Sequence, residues 1–235
     1  MRPAALTALF ALGCVPALPP PAHYAPDAPV AADTAPAAEV GVYGGVLPTV
    51  GGGYTYPLPQ QPAFALEGRG QVGISHAAIS PGIWWRSHPE EHAGHHVGVR
   101  LGLAAGSGDV IAFVPYRMPY GGGGLAIQYA YGLPRSPLGA VSATLSADGL
   151  VPLHYLLQQT IPTTDANGEE ILAAPLPSVY GGLNLRWDLP ATERLAIWLG
   201  ASIDVSMWGY FLPGASMGAR WTPAGRSGAD HHSPP

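Results

Sequence analysis

Four histidines and two carboxylates crowd into the segment Trp84-Trp85-Arg86-Ser87-His88-Pro89-Glu90-Glu91-His92-Ala93-Gly94-His95-His96. Imidazole and carboxylate are the side chains that suit zinc, copper or nickel. A helical turn over 88–92, opened by Pro89, would put His88 and His92 on one face. The expectation is a divalent transition-metal site at His88, His92, His95 and His96, weighed against a merely solvated loop because the spacing matches no defined site. The same imidazoles would make the segment respond to pH near neutrality. Nucleophilic chemistry has its residue types too, in His76 or His154 with Ser75, Ser146 or Ser178, yet nothing in the spacing brings a hydroxyl to an imidazole. No catalytic residue is assigned. Gly121 to Gly124 is a glycine turn rather than a phosphate cradle, since no Lys-Ser/Thr follows it.

A larger set of charges is organised by strand periodicity. Residues 194–207 read RLAIWLGASIDVSM. Leu195, Ile197, Leu199, Ala201, Ile203, Val205 and Met207 fall on one parity, and Ala196, Gly200, Ser202, Asp204 and Ser206 on the other, with Trp198 the exception. A period of two makes a strand with one greasy face and one small, polar face. Similar runs occur at 64–75, 96–105, 109–117, 124–133, 138–147, 178–189 and 213–222. These are longer than strands of soluble proteins and match those that cross a bilayer. Continuing each parity, Glu67, Arg69, Gln71, Arg100, Gln128, Ser142, Thr144, Ser146, Asn184, Arg186, Asp188, Ser202, Asp204, Ser206 and Arg220 look away from the apolar set. In a closed tube, Glu67, Asp188 and Asp204 would then meet Arg69, Arg100, Arg186 and Arg220 as an ion-pair network that fills the lumen.

Composition supports such a tube. Only 11% of residues are charged, less than half of the ~25% usual in soluble domains. The 32 glycines and 27 prolines argue against a helical protein, and the 47% of hydrophobic residues with regular alternation argues against disorder between the ends. The longest apolar run, Ala4 to Val15, is too short to span as a helix. A lipid-facing barrel wall accounts for the missing charge. All ten basic residues are arginine, and the net charge of −5 gives no hint of nucleic-acid binding.

Met1-Arg2, the apolar stretch Ala4 to Leu12 and the small residues before the lone cysteine read as an export signal over 1–13. Ala11-Leu12-Gly13-Cys14 resembles the lipobox of bacterial lipoproteins, which implies cleavage before Cys14 and acylation of its thiol. It departs from the commonest form at its first two positions. Residues 14–38 are mostly proline, alanine and small polar residues and predict an extended tether, and 223–235 a flexible tail.

Between them, 39–222 is expected to form a closed antiparallel up-and-down transmembrane β-barrel, all-β, of eight strands. The alternative is ten, should Glu39 to Leu47 and Gly52 to Leu58 join the wall as a hairpin. Long connections, 76–95 and 148–177, and medium ones, 118–123 and 208–212, alternate with the tight turns Gly106-Ser107-Gly108, Pro134 to Pro137 and Pro190 to Glu193. Outer-membrane barrels have short periplasmic turns and long external loops, so both termini are expected in the periplasm, where a lipidated Cys14 would need to be. Within 148–177, Asp165-Ala166-Asn167-Gly168 predicts a turn between Leu156 to Pro162 and Glu169 to Leu172. Tyr116, Tyr120, Tyr155, Tyr180, Trp187, Trp208, Tyr210 and Trp221 lie near strand ends, where rings sit at headgroup level.

Phe64 to Trp221 thus resembles small bacterial outer-membrane barrels, with Gly218-Ala219-Arg220-Trp221 similar to the aromatic-ended last strand that the barrel-assembly machinery recognises. The resemblance implies an outer-membrane location in a Gram-negative bacterium, with membrane lipid and that machinery as partners. The expected role is structural or interactive rather than enzymatic, with no cofactor beyond the metal considered above and with the loops 76–95 and 148–177 free to meet an extracellular ligand. The alternatives are a narrow channel for small polar solutes and, from the serine and histidine sets, a rim enzyme acting on outer-membrane lipid.

Overall fold

The computed structural model describes residues 36–45, 48–73, 76–87, 94–111, 114–132, 139–153, 161–164, 170–173, 177–192, 194–207 and 211–223. Cys14, the leader, most of the tether and tail, and Ser75, His88, His92 and His154 lie outside them. Alternation of small or polar with apolar side chains produces most of the twelve strands found among the described residues. In chain order they are β1 (Ala37–Gly45), β2 (Thr49–Leu58), β3 (Gln61–Gly73), β4 (His76–Arg86), β5 (Gly94–Ile111), β6 (Val114–Gly132), β7 (Ala140–Pro152), β8 (Ile161–Thr164), β9 (Glu170–Ala173), β10 (Ser178–Pro190), β11 (Leu195–Ser206) and β12 (Phe211–Trp221). Ten of them close into one antiparallel barrel in the order β1 to β7, β10, β11, β12 and back to β1, while β8 and β9 pair only with each other.

The expected closed antiparallel barrel is therefore present, with ten strands in place of eight. Three differences make up the count. The 39–58 hairpin joins the wall as β1 and β2. Residues 76–86, expected in a long loop, form β4. The expected strand 109–117 instead contains the turn between β5 and β6, which run on through Gly106-Ser107-Gly108 and through 118–123. Glycine at 106 answers to packing, not to a turn: a Cβ there would sit 2.6 Å from both the Ala77 carbonyl oxygen and the Tyr120 hydroxyl.

Proline hid β4 from the sequence. Pro81 would stand opposite Leu103, but it has no N–H to give, and the β4–β5 ladder skips from Ile79–Ala105 to Gly82–Gly102. The freed Leu103 carbonyl accepts instead from Ser80 Oγ at 2.9 Å, and Arg100 Nη2 donates to that hydroxyl, also at 2.9 Å. Ser80→Ala should cost about 1–3 kcal/mol by orphaning this carbonyl, read as a lowered urea midpoint of the refolded barrel with an unchanged slope.

Pairing by pairing, Ala37 leads to Thr55, Glu67, Gly82, Gly102, Gly124, Asp148, Tyr180 and Ser206. Extending the last two registers past their final pairs returns the circuit to the β1 line at position 49, a slip of 12 residues. A slip of this kind tilts every strand and, with the strand number, sets the width of the tube. The rule of alternating loop lengths does not survive the new boundaries. Only 153–177, which carries the β8–β9 hairpin, is long. The other connection expected to be external shrinks to 87–93, at the end that bears both chain termini and opposite to 153–177. That hairpin pairs Ile161–Thr164 with Glu170–Ala173, a few residues on from the expected partners.

Candidate functional site

Successive residues of a strand face opposite sides of the wall, so the sequence parity decides what lines the tube. All seven charges expected in the lumen, Glu67, Arg69, Arg100, Arg186, Asp188, Asp204 and Arg220, are buried, and the aliphatic parity faces out, with Leu103 67% and Val72 65% exposed. The arrangement is inverted relative to a soluble protein.

Five of these charges, with a sixth that the sequence reading missed, form one chain of contacts across the lumen. Arg100 Nε on β5 donates to Glu67 Oε2 on β3 at 2.6 Å, and Glu67 Oε1 accepts from Arg69 Nε at 2.7 Å. Arg69 Nη1 reaches Glu39 Oε1 on β1 at 3.0 Å. Glu39 Oε2 accepts from Arg186 Nη1 on β10 at 3.1 Å, and Arg186 grips Asp188 in a fork, Nε to Oδ2 at 2.7 Å and Nη2 to Oδ1 at 2.6 Å. Glu39 is thus the hub, and its register partner across the closing β1–β12 ladder is Arg220. Charge-assisted, forked bonds of this kind fix geometry as well as energy.

Space for these guanidinium groups comes from glycine. A Cβ at Gly82 would lie 2.9 Å from Arg100 Nε, and one at Gly102 2.9 Å from its Cζ. Trp198, the parity exception of the sequence, belongs with the inward set and is fully buried. Arg186 Cζ lies 4.8 Å above its ring and Tyr43 stacks on it with centroids 5.7 Å apart. Nearer the end away from the termini, Tyr120, Leu150 and Tyr180 pack with Ala78, Ala104 and Leu212 as an apolar layer. Tyr120 and Tyr180, expected at headgroup level, instead point inward.

Of the other candidate sets only some members lie among the described residues. His95 and His96 are neighbours on β5 and face opposite sides: His95 is exposed, hydrogen-bonded through Nδ1 to the Tyr129 hydroxyl and packed on Tyr131 at 4.8 Å, whereas His96 is buried inside. The structure does not bring these two imidazoles to one point. His76 and Ser178 both face the lumen, but from β4 and β10, on well-separated parts of the wall. Besides Glu39, the sequence reading missed the buried Asp148, one residue past an expected strand end, and Arg86, whose Nη2 donates to the Pro62 carbonyl oxygen at 3.2 Å.

Outside, Tyr56, Trp85, Tyr129, Trp187 and Trp221 are exposed near the ends of their strands at the side of the chain termini, Tyr54 is exposed further in, and Phe211 is exposed at the opposite end. Among the described residues the exposed aromatics concentrate in a band at the side of the termini.

No family model and no curated protein matches the sequence. Among solved structures, the chain is similar to KdgM porin at 6% identity and a TM-score of 0.36, covering 79% of this chain and 98% of that one. It is similar to the translocator domain of autotransporter NalP from Neisseria meningitidis at 10% identity and 0.35, covering 81% and 90%. The transport unit of the autotransporter AIDA-I from Escherichia coli matches at 10% identity and 0.35, covering 94% and 99%. Likeness at these levels carries no role from those proteins to this one.

Proposed function

We propose that the chain is an outer-membrane β-barrel of a Gram-negative bacterium whose lumen is shut by ion pairs, and that it acts as a structural or interaction protein through its ends rather than as a pore or an enzyme. The observation that carries this reading is the inverted wall: bare aliphatics outside, and Arg100, Glu67, Arg69, Glu39, Arg186 and Asp188 linked inside. Water offers no reason to expose Leu101, Leu103, Val72 and Ile79 together, and hydrocarbon does. The aromatic band supports it further, since amphipathic rings settle at the membrane–water boundary.

In this reading the end carrying the termini faces the periplasm, Cys14 is acylated in the inner leaflet of the outer membrane, and the 153–177 connection with its β8–β9 hairpin faces the medium. The barrel-assembly machinery would insert the chain, reading the strand that ends at Trp221. The channel reading has ten strands in its favour, but the ion-paired cross-section counts against it. Refolded protein should migrate differently on a gel before and after boiling and should add no steady conductance to a planar bilayer. A stable single-channel current would overturn the closed-lumen assignment, and identical migration would overturn the membrane one.

A further inference from the structure

Three adjacent strands, β7, β10 and β11, present only oxygen-bearing or very small side chains to the lumen between the arginine layer and the apolar layer. Asp204 on β11 pairs in register with Gly182 on β10, and Gly182 pairs in turn with Ser146 on β7. Because Gly182 has no side chain, Asp204 Oδ1 and Ser146 Oγ lean over it from either side, the latter 2.7 Å from where a Cβ would stand. Two residues along β10, Asn184 is paired with Thr144 and Ser202. Asp148, two residues past Ser146 on β7 and in register with Tyr180, adds a second buried carboxylate on the side of the apolar layer.

Buried polar atoms without a partner occur elsewhere in the lumen too, at Gln71 and Trp84 for example, but here several oxygens gather around one carboxylate. Asp204 Oδ2, Ser146 Oγ, Ser142 Oγ and Asn184 Oδ1 are shut off from solvent and have no hydrogen-bond partner. Asp204 and Asn184 are themselves only 3% and 1% exposed. Buried polar atoms are nearly always satisfied, so a cluster of orphans points to a missing partner. A buried carboxylate without a counter-charge is costlier still. Every orphan here is an oxygen. Among the described residues no three His, Cys, Asp or Glu side chains converge, so the donors at the patch are one carboxylate with hydroxyl and amide oxygens.

We propose that this patch holds one hard metal cation of the calcium type, with the Asp204 carboxylate as the charge-bearing ligand and Ser146 Oγ and Asn184 Oδ1 beside it. Carboxylate, hydroxyl and amide oxygens are the donors such ions take, with water completing the shell. The apolar layer of Tyr120, Leu150, Tyr180 and Leu212 lies over the patch, so the ion enters as the barrel forms and leaves slowly.

The test is to refold the full chain in detergent micelles with calcium or with magnesium, remove free ion by desalting, and measure metal per folded barrel by atomic absorption. Folding is scored by migration without boiling. Wild-type protein should retain about one ion, and calcium should raise its unfolding temperature. Asp204→Asn should weaken retention at least tenfold, and Ser146→Ala, which removes no charge and keeps the wall intact should the first variant fail to fold, several-fold. Retention of magnesium in place of calcium would support the same site with a smaller ion. Wild-type barrels that keep neither ion, leaving water and a proton as the only occupants, would overturn the proposal, as would retention unchanged in both variants.

Discussion

Glu39→Ala will destabilise the folded barrel by on the order of 3–5 kcal/mol, because it leaves two buried guanidinium groups short of a carboxylate at once. Arg69 reaches Glu39 Oε1 at 3.0 Å and Arg186 reaches Oε2 at 3.1 Å, with all three side chains almost wholly shut off from solvent. Arg186 keeps Asp188 and Arg69 keeps Glu67, so the two halves of the network survive, but the link from β10 through β1 to β3 is lost. The urea midpoint of the refolded protein in micelles measures the loss. If the lumen is held shut by this link, the same variant will also admit small ions, and bilayer conductance will rise from nothing to a measurable level. A midpoint within experimental error of wild type would mean that Glu39 is not the hub.

Leu103→Arg gives the second large effect, and its size separates two solvents. Leu103 faces outward midway along β5 and is among the most exposed aliphatics of the wall. In hydrocarbon, an arginine there costs about 2–4 kcal/mol near the midplane. In water the same change at an exposed strand position would fall within about 0.5 kcal/mol. Comparing variant and wild type by reversible unfolding from lipid vesicles decides between them. Arginine at position 197, on the outward face of β11 close to the aromatic band, should cost much less than at 103, since the penalty falls toward the interfaces.

Strands with large aliphatics opposite polar residues were legible in the chain. The runs expected at 178–189 and 194–207 are observed as Ser178–Pro190 and Leu195–Ser206. Their parity also placed all seven predicted lumen charges on the buried side. Legibility failed where the contrast was weak. The outward face of β4 reads Ala77, Ile79, Pro81, Ile83 and Trp85, and a proline within a strand is ordinarily a reason to reject it. The β1–β2 hairpin is hard to read because Gly51, Gly52 and Gly53 erase the alternation, and Glu39 is lost from view with it. Glycines also mislead the turn assignment: at 106, 122 and 124 they make room for the inward Tyr120, Leu150 and Asp148 side chains, a requirement set by neighbouring positions in space and invisible in the local sequence. Proximity along the chain is a weak guide to proximity in space where the chain is extended: His95 and His96 are neighbours on β5 and face opposite sides of the wall, while His88 and His92 lie outside the described residues.

The first strand of the tube is hydrogen-bonded to the last, with Ala38 opposite Trp221 and Gly45 opposite Gly214. No partial product emerging in N-to-C order can seal itself, because the mate of residue 38 is synthesised nearly the whole chain later. Closure is consequently a late, concerted event with a high entropic barrier to ring formation. Until then two open edges invite pairing with other chains, so a chain cut short before Phe211 will aggregate rather than persist as a smaller tube.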